Sequence, residues 1–285
     1  MPQPRTLIPL PHGRSLTLGR RPLVMGIVNV TPDSFSDGGL HLRPDTAIDA
    51  AMRMAEEGAA ILDVGGESTR PGSVTVPVDE ELERVMPVIE GIRRRSDLPL
   101  SVDTRKAAVA RAALDSGADI INDVSALRYD REMGTVAAQL EAAVILMHMR
   151  GEPATMQNLI HYDDVLGEVH SELAGFIDAA IAAGIEKARI LVDPGIGFAK
   201  DLAHNLEILR GLNRLSDLAP VVLGGSRKAF VGKLTGREGG RARMAGSLAA
   251  VAAGWLGHAA VVRVHDVAET VDFLSVLDAI GETRG

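Results

Sequence analysis

Eight short apolar runs, each followed by a longer amphipathic stretch, limit how this chain can fold. The runs occupy residues 23–28, 60–64, 100–102, 119–121, 143–147, 189–192, 220–223 and 260–264. Runs that are apolar throughout, rather than alternating, suit strands buried on both faces, as in parallel sheets covered by helices. Helix-period segments fill many of the intervals, at 45–57, 79–95, 106–116, 163–183 and 268–280. They often open on Asp or Thr, as helix N-caps do, and Gly58 and Gly117 stand where left-handed C-terminal caps are expected. Eight strand–helix units in 285 residues predict an α/β fold, a TIM (β/α)8 barrel forming one domain over residues 1–285. The alternative is a doubly wound open sheet, whose first strand would run into a glycine-rich turn. Here the first strand runs into Asn29-Val-Thr-Pro-Asp. Residues 6–18, with a His12-Gly13 turn, predict a hairpin closing the barrel bottom, part of an N-terminal extension over about residues 1–20.

Composition narrows the partners. Apolar residues are 46% of the chain and charged residues 24%, which supports a packed core and excludes wholesale disorder. A formal charge of −8 argues against nucleic acid as a partner. One Trp, two Tyr and five Phe are too few for a platform that stacks unpaired bases. With no cysteine there are no disulfides, thiol nucleophiles or iron–sulfur clusters, which fits a reducing, cytoplasmic location. Residues 1–21 contain four prolines and no long apolar run, so no signal peptide is expected. Residues 245–262 lack formal charge, but their Ala and Gly content with Ser247 and His258 predicts a buried helix running into a buried strand, not a membrane span.

Active sites of such barrels form at the C-terminal ends of the strands. The expected ends carry Asn29, Asp63, Asp103, Asn122, His148, Asp193, Ser226 with Arg227 and Lys228, then Arg263 and His265. One polar residue ending an apolar strand is an ordinary turn or cap. Polar residues ending all eight strands point to a site. Gly224-Gly225-Ser226-Arg227-Lys228 combines backbone amides that can approach an anion with three polar side chains. Arg263 and His265 fall on one face of the last strand, so the corner predicts a phosphate or diphosphate. Asp103, Asn122 and Asp193 would meet in one mouth. They suit either a heterocycle with adjacent amide and amino groups, bound as a carboxylate binds Arg, or a divalent-metal cage. Residues 31–39 and 65–72 are glycine-rich and read as mobile loops able to close over substrate. His41, His161, His170, His204 and His258 lack ligand spacing, the ten methionines read as core filler, and 93–95 is a run of arginines at a helix end. Trp255 is expected at a subunit interface.

Several segments together resemble the bacterial dihydropteroate synthases, a family of pterin-binding barrels. Gly26-Ile-Val-Asn-Val-Thr-Pro-Asp-Ser-Phe-Ser-Asp-Gly38 resembles the first signature of that family, and Asp63-Val-Gly-Gly-Glu-Ser-Thr-Arg-Pro-Gly72 the second. Ser101-Val-Asp-Thr104, Ile121-Asn-Asp123, Leu146-Met-His-Met149, Asp193-Pro-Gly195 with Gly197-Phe198, 224–228 and Arg263-Val-His-Asp266 follow in order. The resemblance implies a folate-biosynthesis transferase, a sulfonamide target. It would condense 6-hydroxymethyl-7,8-dihydropterin diphosphate with 4-aminobenzoate, giving 7,8-dihydropteroate and diphosphate. It further implies that Asp103, Asn122, Asp193 and Lys228 hold the pterin, with Met147 lining the pocket. Asn29, Arg263 and His265 would bind diphosphate, and Asn29 and Asp33 would ligate Mg2+. Thr69, Arg70, Pro71, Phe198 and the stem of Lys228 would shape the aminobenzoate side. Asp103, Lys228, Arg263 and His265 would be the catalytic group, serving a dissociative substitution in which the C–O bond breaks before the amine attacks. A homodimer is implied as well. Ala229 and Gly225 depart from the family pattern at the aminobenzoate mouth. Two other readings are a cobalamin-linked methyltetrahydrofolate methyltransferase, which needs no diphosphate corner, and a pterin-binding paralogue without turnover, which should have lost parts of the two loops. A Schiff-base aldolase is disfavoured on the expectation that Lys228 has no apolar pocket to depress its pKa.

Overall fold

The computed structural model describes residues 6–31, 44–70 and 72–282. A hairpin of β1 (Thr6–Pro9) and β2 (Ser15–Leu18) comes first, pairing Thr6 with Leu18 and Pro9 with Ser15. The expected His12-Gly13 turn is present, with His12 left-handed at φ 58 and ψ 26. The repeating units then run β3 (Leu23–Asn29), α1 (Pro44–Glu56), β4 (Ile61–Gly65), α2 (Val78–Arg93), β5 (Leu100–Asp103), α3 (Ala107–Asp115), β6 (Ile120–Asp123), α4 (Met133–Gln139), β7 (Ala143–Met147), α5 (Val165–Ala182), β8 (Ile190–Asp193), α6 (Leu202–Arg210), β9 (Val222–Leu223), α7 (Ala229–Thr235), α8 (Met244–Leu256), β10 (Val261–Val264) and α9 (Val267–Glu282).

Strands β3 to β10 form one parallel sheet in the order β8-β7-β6-β5-β4-β3-β10-β9. A single parallel bridge, Val192 to Val221, joins the two ends and closes the barrel. The expected α/β barrel is therefore the fold, and the open-sheet alternative is not. Residues 245–262 form the expected buried helix and strand as α8 and β10, and no helix among the described residues is long and apolar enough to cross a membrane. Gly58 and Gly117 both take φ +99, as their predicted capping roles require. Helices α4, α6 and α7 are additional to the segments singled out in the sequence; seven to nine residues are too few for a clear helical period. α6 is specified by its cap instead. The Asp201 carboxylate accepts from the His204 backbone N–H at 2.9 Å.

Two apolar layers hold the barrel. The larger lies between sheet and helices, where the outward side chains of the strands meet residues such as Val85, Ile89, Val109, Leu173 and Ile208. The smaller fills the barrel's lower interior. There Ile8, Leu10, Leu16 and Leu18 of the hairpin segment join Met25, Ile61, Ile120, Ile145, Leu191, Val222 and Val261. The hairpin is thus a plug, as expected from residues 6–18. Asp119 locks it in place. The sequence puts Asp119 at the head of an apolar run, but β6 begins at Ile120, and Asp119 lies fully buried just below it. Its carboxylate accepts from Arg14 Nε (2.7 Å), Arg93 Nη2 (3.2 Å) and the Leu100 N–H (2.9 Å). Arg93 is therefore more than a cation at a helix end.

Trp255, expected at a subunit interface, is half-buried and packs within the chain. Its indole N–H donates to Asp278 of α9 at 2.8 Å and Arg20 lies over its ring. Replacing Asp119 with Ala strands two guanidinium groups at the barrel bottom. Asp119→Ala is expected to lower the unfolding free energy by about 3 kcal/mol in urea titrations.

Candidate active site

Along each barrel strand, the residue two positions beyond the lower apolar layer points into the mouth. From Ile61, Ile120, Leu191 and Val261 this step reaches Asp63, Asn122, Asp193 and Arg263. From Ser101 it reaches Asp103. Register sets neighbours beside each other: Asp103 pairs with Asn122 across β5 and β6, and Met147 with Asp193 across β7 and β8. Asp103, Asn122, Met147 and Asp193 are all buried.

Arg263 is the centre of this layer. Its Nε donates to Asp63 Oδ2 at 2.6 Å and its Nη2 to Asp103 Oδ2 at 2.7 Å. Asn122 Nδ2 also donates to Asp63 Oδ2, at 3.1 Å. A guanidinium bridges Asp63 and Asp103, so Asp103, one of the two carboxylates of the metal-cage reading, is already engaged by a cation. Asp63 was only a strand-end residue in the sequence, and here it joins the site through Arg263 and Asn122. Burial pushes the Asp103 carboxyl up to about 7; Arg263 opposes this and Asp63 adds to it. Burial lowers the Arg263 pKa, but Asp63 and Asp103 outweigh it and keep the guanidinium firmly charged. Asp193 is raised by burial while its Oδ1 accepts the Gly195 N–H at 2.7 Å.

The corner after β9 differs from its expected form. Arg227 does not face the anion corner. Its backbone is left-handed at φ 56, its N–H donates to Ser247 (2.8 Å), and its guanidinium grips Asp266 at 2.6 and 3.1 Å. Gly225 does not shape the mouth either. A Cβ there would stand 2.8 Å from the Ala250 Cβ of α8, so its small size is a packing requirement behind the sheet. Ser226 and His265 do meet. The Ser226 hydroxyl accepts the His265 backbone N–H at 3.2 Å and lies 3.0 Å from its Nδ1. Burial, then Arg227 and Arg263, push the imidazole down to about 3, so it is neutral at pH 7.

Lys228 Nζ lies 4.3 Å above the centre of the Phe198 ring, bringing together two residues expected on the aminobenzoate side. Burial pushes its ammonium down to about 8, against Asp193. The expectation that nothing depresses this lysine is therefore corrected: the corner is polar, but it is buried.

Of the two loops expected to be mobile, residues 32–39 lie outside the described set, and with them Asp33; so does Pro71. The loop after β4 is tied down at its base. Glu67 accepts from Arg105 (2.5 Å), Lys106 (2.6 Å) and the Val76 N–H (2.8 Å), and Lys106 also meets Glu81. Farther out, Thr69 is half-buried, Arg70 is exposed, and the Gly72 N–H donates to the Pro153 carbonyl at 3.2 Å. Asn29 ends β3, and its side chain makes no hydrogen bond among the described residues.

A further polar chain escaped the sequence reading apart from His148. Glu172 of α5 lies 3.0 Å from His148 Nε2, His148 Nδ1 lies 2.8 Å from Lys200 Nζ, and Lys200 donates to the Phe198 carbonyl at 3.0 Å. Burial lowers His148 to about 4 and Lys200 to about 7. The remaining histidines keep ordinary roles where described: His204 caps α6, and His258 is a left-handed residue just after α8.

The pterin-binding enzyme family matches residues 25–265 of this chain. The dihydropteroate synthase of Synechocystis is 46% identical over 274 residues, covering 95% of each chain. The chain belongs to the dihydropteroate synthase family. The Escherichia coli K12 synthase is 46% identical over 271 residues, 94% of each chain. The structure of the Xanthomonas albilineans synthase with 4-aminobenzoic acid has a TM-score of 0.89 and 52% identity, covering 96% of this chain and 98% of that one. The same synthase with 7,8-dihydropteroate gives 0.86 and 50%, covering 96% and 99%.

The Lys228 ammonium destabilises the fold in the region where the site needs it. A lysine lowered on folding gives stability that rises with pH between its folded value, about 8, and its ordinary value. Lys228→Met is therefore expected to raise Tm at pH 7, with the advantage shrinking by about pH 9.5, while turnover is lost; calorimetric scans at both pH values check this.

Proposed function

We propose that the chain condenses 6-hydroxymethyl-7,8-dihydropterin diphosphate with 4-aminobenzoate, releasing 7,8-dihydropteroate and diphosphate. One observation carries the reading: Asp103, Asn122 and Asp193 line one buried mouth beside the Lys228–Phe198 pair. The carboxylates accept from the N–H edge of a pterin, and Asn122 offers both a donor and an acceptor. Met147 packs with Phe198 and Met156 below the ring position. Phe198, Thr69 and Arg70 would shape the aminobenzoate side, with Pro71, which lies outside the described residues, expected there too.

The substitution proceeds with the C–O bond breaking first. In their ionised forms Asp103 and Asp193 favour the cationic pterin methylene that results. Arg263 is held between Asp63 and Asp103, so it serves the ring pocket as a strut as well as the leaving diphosphate. Neutral His265 offers that diphosphate a hydrogen bond rather than a positive charge. The free oxygen of Asn29 is a hard ligand of the kind Mg2+ takes, and Asp33 would be the second. Mg2+ held there would neutralise charge on the diphosphate. The amine of 4-aminobenzoate then attacks, and its proton leaves with the released diphosphate.

A homodimer is also proposed. An apolar groove of about 650 Å3 between α6, α7 and α8 is lined by Leu206, Leu209, Phe230 and Leu234, with Leu256 at its margin, and Leu234 and Leu256 are exposed. Sedimentation equilibrium is expected to give twice the chain mass. A cytoplasmic location is proposed with it.

The deciding assay supplies pterin diphosphate and 4-aminobenzoate and follows diphosphate release. Release that requires both 4-aminobenzoate and Mg2+ is expected; no release with both present overturns the reading. Asp193→Asn would turn a donor toward the pterin N–H groups. It is expected to weaken a phosphate-free pterin analogue by at least about tenfold in calorimetry, the equivalent of one unsatisfied buried hydrogen bond.

A further inference from the structure

The turn that carries Phe198 is unusual in its backbone. Between β8 and α6, Gly195, Gly197 and Ala199 all have positive φ, at 68, 84 and 50. Ala199 has a Cβ and gains nothing from that conformation. Gly195 lies so close to β7 that a Cβ on it would stand 2.0 Å from the His148 carbonyl oxygen. Such a turn persists only where its surroundings hold it.

Three side chains do so. Asp193 accepts from the Gly195 N–H, and Asn205 of α6 accepts from the Gly197 N–H at 2.7 Å. The third is Lys200, only 3% exposed, which reaches back under the turn to the Phe198 carbonyl and to His148 Nδ1. Among the described residues no carboxylate lies within ion-pairing distance of the Lys200 Nζ. A buried ammonium without a direct counter-ion is costly, and an apolar chain of the same length would fill the space more cheaply. What the amine adds is geometry. Its acceptor is itself fixed: the His148 N–H donates to the Asp193 carbonyl at 2.8 Å, and its Nε2 is held by Glu172. The chain of contacts runs from helix α5 through His148 and Lys200 to the backbone under the Phe198 ring.

We propose that Lys200 is a positioning residue for the aminobenzoate side of the site, holding the Phe198 carbonyl so that the Phe198 ring stays beneath Lys228. The proposal rests on the function proposed above. It separates the two substrates: the pterin is held by Asp103, Asn122 and Asp193 on strand ends, whereas the aminobenzoate wall is held by this turn.

Lys200→Met keeps the length of the side chain and removes its donors. Backbone hydrogen exchange in residues 195–199, read by mass spectrometry, is expected to accelerate, while exchange in β8 stays as in the wild type. The KM for 4-aminobenzoate is expected to rise about tenfold, with the KM for pterin diphosphate within about twofold of the wild type. Unchanged exchange at 195–199 overturns the proposal, and so does an equal rise in both KM values. If Lys200→Met does not fold, Lys200→Gln, which keeps one shorter N–H donor, is judged by the same two readings. A wild-type enzyme that makes no product counts against the function alone, and the exchange experiment still decides the role of Lys200.

Discussion

A guanidinium buried between two carboxylates is the contact around which the top of this barrel is arranged. Arg263 on β10 reaches across β3 to Asp63 on β4 and Asp103 on β5. Intact buried ion pairs add little to stability, whereas a broken one is expensive. The cluster is therefore a poor choice for holding strands together and a good one for holding charge in place. Asn122 is oriented by the same Asp63 oxygen. Among the described residues, the second oxygen of Asp63 and the hydroxyl of Ser101 find no hydrogen-bond partner. An enzyme that must stabilise charge during reaction gains from dipoles and ions fixed beforehand.

Much of this was visible in the order of residues because barrel strands obey a period of two. Once Ile120 or Leu191 is assigned to the inner face, Asn122 or Asp193 follows, and so do the hairpin plug and the closed sheet. What stayed hidden depends on backbone conformation or on long-range packing. Ser226-Arg227-Lys228 reads as three donors in a row, yet a left-handed Arg227 sends the middle one to Asp266. Gly225 resembles a lining residue until α8 is placed behind it. Lys200 follows a turn rather than a strand, and Glu172 sits within α5; nothing local ties either to the mouth. Asp119, at the head of an apolar run, belongs to the opposite end of the barrel from Asp103.

The protonation pattern divides the site by depth. Burial acts on every group there, lowering Lys228 and His265 and raising Asp103 and Asp193. Only Arg263 resists, since its partners outweigh the loss of water. The mouth therefore combines the firmly charged Arg263 with Lys228 and Asp103 near a change of protonation state, and a charged substrate will redistribute protons when it binds. The bottom of the barrel is better matched, although burial and Arg14 lower Arg93. Asp119 faces two arginines and a backbone amide, a fully matched set.

The hydrogen bond from Gly72 to Pro153 joins the loop after β4 to the loop after β7 across the rim. The loop after β4 is anchored at its root by Glu67, so its outer part can swing only by breaking that bond or by drawing the neighbouring loop along. These two walls are consequently tied to each other at the rim as well as to the barrel. Breaking the Gly72–Pro153 bond exposes two backbone groups at once, so parting these walls costs more than moving either loop would if they were separate.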